Sequence, residues 1–193
     1  MTGMIMSRKV TIDNSAAMIK DFIPYPEIET IRLRLRKISV ADLEDMFFMR
    51  SDSEVNLYLG DYRHASKQVT SEWLDKIIAG IENEDWLFWV MESKVERRFV
   101  GSVCLWNLST KTNSAELGYA VHPDFQKQGL MDEALKAVVN FGFERMKLSF
   151  IDAFTHRENQ PSIRLLERNA FVFDPNRKAE EGSSNICYVK KSK

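Results

Sequence analysis

Cysteine is scarce, and the two present, Cys104 and Cys187, stand far apart with no CxxC pair or Cys/His cluster around them. That leaves no disulfide framework and no structural zinc site to expect, and both read as buried strand residues. His64, His122 and His156 are equally scattered, so no metal is expected. Charge of one sign is also lacking. A formal net charge of −1 offers no electrostatic reason for nucleic acid or an anionic membrane as partner. No apolar run approaches membrane-spanning length, and Met4-Ile5-Met6 is too short for a signal-peptide core, so the expected location is cytoplasmic. Internal repeats and low-complexity tracts are absent.

What is present suits one well-buried domain. The 193 residues are 44% hydrophobic and 28% charged, close to the globular average. Residues 1–27 read as an N-terminal extension, with Ala16–Phe22 forming two helical turns before Pro24 and Pro26 interrupt them. The domain proper is 28–193. Ile31, Leu33, Leu35 and Ile38 point inward from a first strand, with Arg32, Arg34 and Arg36 on its solvated face. Ser39 with Asp42 three residues on reads as a helix start, followed by Leu43, Met46, Phe47 and Phe48 on the buried side. Ser66 opens a second helix with Val69, Trp73, Ile77 and Ile78 inward.

Trp86–Met91 and Phe99–Trp106 read as strands of a hairpin turning at Lys94–Arg97. Their tryptophans, with Trp106, are core residues or the lining of a pocket. After polar Asn107–Asn113 comes a strand to Val121, a loop and a long helix. Then follow a strand at Ile151–Thr155, a helix at Gln160–Arg168, a strand at Phe171–Phe173, a loop over Asp174–Asn185 and a closing strand at Ile186–Lys190. Helices, an antiparallel meander and a strand–helix–strand–helix run together predict an α+β fold with a mixed, largely antiparallel central sheet flanked by helices.

The stretch Ala115–Leu135 is the most specific. A strand ends at His122-Pro123-Asp124, and Gln126, Lys127, Gln128 and Gly129 lead into a helix. The apolar positions of that helix, Met131, Ala134, Leu135, Val138, Val139, Gly142 and Met146, recur at helical spacing. The first turn of such a helix leaves backbone N–H groups without intrahelical partners at the positive end of the dipole. A glycine there lets an anion approach closely, so a pyrophosphate would fit. Neither the dinucleotide fingerprint nor the P-loop is present.

Gln126-Lys-Gln-Gly129-Leu-Met131 instead resembles the Q/R-x-x-G-x-G/A loop of the GNAT N-acetyltransferase superfamily. Glu116-Leu-Gly-Tyr119 before it is similar to the strand that precedes the loop there. Asn159-Gln-Pro-Ser162, followed by Leu165–Phe171, resembles the signature of the branch containing the ribosomal-protein N-terminal (alanine/serine) acetyltransferases. Ala170 stands where that pattern has glycine. A positive φ there would strain alanine by about 1 kcal/mol.

The resemblance implies the acyl-CoA N-acyltransferase fold and acetyl-CoA as co-substrate. It places the pyrophosphate on Gln126, Lys127, Gln128, Gly129, Leu130 and Met131. It places the pantetheine along the backbone of Tyr119, Ala120 and Val121, with Asn159 donating an amide. The implied reaction is direct attack by a primary amine in a ternary complex, the acceptor being a protein N-terminus or a small amine. A carboxylate flanked by small strand residues, Glu116 beside Gly118 and Ala120, is the candidate base. Ser162, at a helix start behind Pro161, is the candidate acid toward sulfur, or only a cap. His122 reads as a turn residue, and Tyr119 as a backbone partner. The other reading of the same residues is a catalytically silent coenzyme-A or acyl-CoA sensor. Exposed sheet edges would allow a homodimer.

Overall fold

A computed structural model describes residues 17–58, 63–178 and 183–193. The expectations for residues 1–16, and for the 179–182 part of the late loop, lie outside these.

Eight strands form one sheet in the order β1-β2-β3-β4-β5-β6-β8-β7. They are β1 (Ile28–Glu29), β2 (Leu33–Lys37), β3 (Leu87–Ser93), β4 (Phe99–Ser109), β5 (Ser114–Val121), β6 (Phe150–His156), β7 (Val172–Lys178) and β8 (Asn185–Lys191). Every pairing is antiparallel except β5 with β6. The exception follows from connectivity. The chain leaves β5 through α3 (Leu130–Glu144), and a helical crossover returns the next strand parallel. The α+β expectation is met.

Strand alternation divides the side chains between two cores. One face carries Leu33, Leu35, Trp89, Met91, Val103, Leu105, Leu117, Ile151 and Ala153, covered by α3 and by α4 (Gln160–Arg168). The other carries Phe88, Val90 and Phe99 under α1 (Leu43–Ser51) and α2 (Lys67–Glu82). Along α3 the predicted stripe is buried throughout, with Ala134, Leu135 and Val138 at 0% exposure. Truncating a leucine so placed costs about 2–5 kcal/mol.

Several readings are corrected. Met18–Phe22 is not helical. Its backbone is held by the domain instead, with Met18 N–H donating to Asn113 Oδ1 and Ile19 N–H to the Met146 carbonyl, both at 2.9 Å. Phe22 is buried in the core. Ile31 is 90% exposed, because the ladder with β3 begins only at Leu33 and alternation before that point buries nothing. Phe48 is exposed and stacks on His122, with ring centroids 4.6 Å apart, while Met49 takes the buried place. Val69 is exposed in the first turn of α2, where Thr70, Leu74 and Ile81 face inward. Strand β7 continues through Asp174–Lys178 after a register break, where a loop was expected. Cys104 is half-buried, unlike Cys187.

The three strand arginines are engaged in ion pairs. Arg32 meets Glu133 at 2.6 Å, Arg34 meets Glu27 at 2.8 Å, and Arg36 meets Asp42 at 2.6 Å. Asp42 also accepts from the Ser39 N–H at 2.8 Å, completing the predicted helix start.

Candidate active site

The site is a parting of strands. The β5–β6 ladder holds only Ser114–Phe150, Ala115–Ile151 and Glu116–Asp152. Beyond Glu116, strand β5 stays paired to β4 as far as Val121 with Gly101. Leu117–Val121 therefore turns one backbone edge toward an open wedge. Backbone groups at such an edge need partners from outside the sheet. Tyr119, Ala120 and Val121, the predicted pantetheine residues, lie on it.

At the wide end of the wedge is the predicted cradle. His122 is a turn residue as expected: its Nδ1 accepts from the Asp124 N–H at 3.2 Å. Gln126, Lys127, Gln128 and Gly129 are exposed, while Leu130 and Met131 are buried in the core. Lys127 (φ 60°) and Gly129 (φ 74°) both adopt the left-handed conformation. Gly129 is the N-cap of α3, and no side chain caps the helix. Apart from its chain neighbours, the atom among the described residues that a Gly129 Cβ would approach within 4 Å is Arg32 Nη2, at 3.6 Å. An uncapped helix start with a glycine and an open approach suits a phosphate-bearing ligand. Arg32 braces it, donating to the Gln128 carbonyl at 2.9 Å while pairing with Glu133 in the helix's first turn. The distant strand's role in holding this loop was not legible locally.

On the α3/α4 side, the wedge is bridged by hydroxyls. Asn159 caps α4, its Oδ1 accepting from the Ser162 N–H at 3.2 Å. That fixes Ser162 at the helix start, where its buried hydroxyl lies 2.8 Å from the Tyr119 hydroxyl and accepts from Thr155 Oγ1 at 2.9 Å. Burial pushes the Tyr119 phenol up to about 12, against the pull of the Ser162 hydrogen bond. Tyr119 thus contributes a side chain as well as an edge, which its reading as a backbone partner missed. Only the position of α4 brings these hydroxyls together.

The opposite face carries carboxylates. Burial, and then the charge of Asp152, raise Glu116 to about 7, against a hydrogen bond from Asn107. Asn107 has a positive φ (49°) within the irregularity between Trp106 and Ser109, and such a bulge re-aims a side chain. The small residue Gly118 on this face does not leave open space. A Cβ on Gly118 would lie 2.8 Å from Cys104 Sγ, so that thiol fills the room. Burial holds it protonated, at about 12. Asp152 and its partner Arg177 were not singled out in the sequence.

The surface depression lined by Glu27, Glu29, Arg34, Glu92, Lys94 and Arg97 lies among salt bridges at the far edge of the sheet. It has none of the features of the wedge.

Comparison with known proteins agrees with this fold. Residues 32–172 match the family model described as acetyltransferase (GNAT) domain. "Uncharacterized N-acetyltransferase YoaA" of Bacillus subtilis (strain 168) is 30% identical over 147 residues, 76% of this chain and 83% of that one. The solved structure of a putative ribosomal-protein-serine acetyltransferase from Vibrio cholerae superposes with a TM-score of 0.74 at 24% identity, covering 88% of this chain and 99% of that one. The spermidine N-acetyltransferase from Vibrio cholerae, in complex with CoA and spermine, gives 0.69 at 19% identity, covering 82% and 93%. At these identities the structural likeness shows the fold.

Proposed function

The chain belongs to the GNAT acetyltransferase family and is an acetyl-CoA-dependent N-acetyltransferase; on that premise we propose that it acetylates a primary amine by direct attack across the β5–β6 wedge. The observation that carries the reading is the distribution of groups around that wedge. Hydroxyls lie on one face and a carboxyl titrating near neutrality on the other, with an uncapped helix start at the open end.

The co-substrate supplies an acetyl group activated as a thioester. In this reading the amides of Lys127–Met131 hold its pyrophosphate, and Gly129 keeps their approach clear. The β5 edge at Tyr119–Val121, with the Asn159 amide, aligns the pantetheine. One edge N–H points to the carbonyl oxygen and stabilises the charge that develops there.

Glu116 takes the first proton from the acceptor's ammonium and passes it to water. The neutral amine forms the N–C bond as the C–S bond breaks. The nitrogen's second proton passes to the Glu116 carboxylate, freed by the first transfer, and on to water, balancing the one gained by sulfur. Ser162 delivers a proton to the thiolate. When Tyr119 donates to Ser162 as Thr155 does, the serine's own hydrogen is free to point into the wedge, and Tyr119 restores it before regaining a proton from water. An acceptor with an amine pKa near ~8 needs only a modest base.

For the acceptor, we infer a peptide or protein N-terminus, a reading supported by the resemblance of Asn159–Phe171 to the ribosomal-protein branch. The spermidine acetyltransferase among the structural neighbours keeps a small polyamine as the competing substrate class. Coenzyme-A thiol release with peptides bearing N-terminal Ala or Ser, set beside spermidine, tests this. Turnover of the peptides is expected. Turnover of spermidine alone would overturn the peptide assignment, and thermal stabilisation by acetyl-CoA without thiol release would favour the sensor reading.

A further inference from the structure

Glu116 is not the only carboxylate at the parting of the strands. Asp152 pairs with it in the last register of the parallel β5–β6 ladder, so the two side chains leave the sheet on the same face. Asp152 has asymmetric surroundings. Its Oδ2 is held by the Arg177 guanidinium, whereas its Oδ1 is buried and has no hydrogen-bond partner among the described residues. Arg177 comes from β7, two strands further along the sheet. It lies 4.2 Å over the Phe150 ring, with Nε 3.5 Å from Asp174. A buried carboxylate oxygen without a donor is costly, and such groups in native structures call for an explanation.

Among the described groups on this face, compensating charge comes from Arg177. From β4 come the Asn107 amide and the Cys104 thiol. From β8 comes the Cys187 thiol, also raised to about 12 by burial and by Asp152. From β7 come Asp174 and Arg177. Both thiols stay neutral through the physiological range. The charge beside Glu116 is therefore set by Asp152 and by how far Arg177 offsets it.

We propose that Asp152, held by Arg177, is a positioning residue that acts through Glu116, keeping negative charge beside it and so setting the pH at which Glu116 accepts the acceptor's proton. The proposal rests on the acetyl-transfer reading for its consequence, but not for its measurement. Like charges held together raise the proton affinity of one member; burial raises that of Asp152 as well, and the Arg177 guanidinium pulls it back down. The environment thus gives two carboxylates two roles.

The test uses the full chain with ¹³C-labelled carboxyls, titrated by NMR without any acceptor, alongside pH–rate profiles. In Asp152→Asn, which keeps the shape, the Glu116 midpoint should fall by about one pH unit. In Arg177→Gln it should rise, and Arg177→Lys should restore it toward wild type. A purely structural role would lower the melting temperature of these variants without shifts of opposite sign. An unmoved Glu116 midpoint in folded Asp152→Asn overturns the proposal. Should Asp152→Asn fail to fold, the Arg177→Gln and Arg177→Lys pair decides it, and equal midpoints in those two overturn it. Midpoints that shift while no amine is acetylated by any of the proteins would retain the coupling and remove the acetyl-transfer reading. Turnover with a wild-type acid limb in Asp152→Asn would do the reverse.

Discussion

The two faces of β5 carry opposite chemistry one residue apart. Leu117, Tyr119 and Val121 turn toward α3 and α4, where the wedge is lined by apolar side chains and by the Tyr119–Ser162–Thr155 hydroxyls. Glu116, Gly118 and Ala120 turn the other way, where the Glu116 carboxyl is raised to about 7 and Asp152 stands beside it. Hydroxyls stand on one side and carboxyls on the other. A pleated strand does this at no cost in length, because successive side chains alternate by geometry. Glu116 is the last residue of β5 paired on both edges, and Tyr119 lies beyond the parting, so the alternation sets a carboxyl and a hydroxyl on opposite faces where the gap opens.

The harshest way to break this division is to remove the acceptor of protons. Glu116→Gln keeps size and shape, and kcat should fall ~10²-fold at neutral pH. The wild-type acceptor kcat/KM should rise with pH through about 7 as the carboxyl becomes its base form, and then level off. The variant should lack that limb and recover in part as alkali frees the amine. Parallel profiles with equal kcat would take Glu116 out of the mechanism. The raised carboxyl also has a consequence for folding. The folded state binds this proton more tightly than the unfolded chain, so the carboxyl's contribution to stability is full below its ordinary range and is lost as pH climbs to about 7. Melting curves across that window should show the wild type losing ground to the glutamine variant.

Removing the donor face should cost less. Ser162→Ala is expected to lower kcat ~10- to 100-fold with acetyl-CoA affinity little changed, and Tyr119→Phe should have a smaller effect in the same direction. A Ser162→Ala protein with wild-type kcat but a lowered melting temperature would reduce the serine to a hydrogen-bonding strut. At the open end, Gly129→Val should weaken acetyl-CoA by at least ~10-fold, about 1.4 kcal/mol, read by calorimetry. The left-handed φ of 74° makes the strain conformational rather than a collision, since a Cβ there would meet Arg32 Nη2 at an ordinary 3.6 Å. Undiminished affinity in the folded variant would move the coenzyme elsewhere.

The smallest effect concerns α4, which carries Ser162. Ala170 does adopt a positive φ, 59°. Ala170→Gly should relieve about 1 kcal/mol or more of strain, offset in part by the greater freedom of glycine in the unfolded chain. A rise of a few degrees in melting temperature with unchanged kcat is the expected result.

How much could be read from the chain depended on how local the causes were. Helix α4 was legible over its full length, because Asn159, Pro161 and the apolar spacing all act within its own turns. The uncapped start of α3 was legible for the same reason. Ile31 was misread because alternation continues in sequence before the strand has a partner in space. Phe48 and Val69 were misread because their helices touch the sheet along a line that neither helix determines alone. Tyr119 was read as a backbone partner alone, because its hydroxyl's partner lies 43 residues away.

Sequence by itself determined the order of elements, the family motifs at Glu116–Tyr119, Gln126–Met131 and Asn159–Phe171, and the candidate carboxylate and hydroxyl. Each is written in spacings of a few residues, where backbone geometry leaves little choice. Only the tertiary structure decided that β5 and β6 part after Glu116, that Asp152 stands beside that glutamate, and that Arg177 reaches Asp152 from β7. Those are contacts between strands separated by tens of residues. The packing of α3 and α4 against one face sets them, and no local pattern encodes where two distant strands stop pairing.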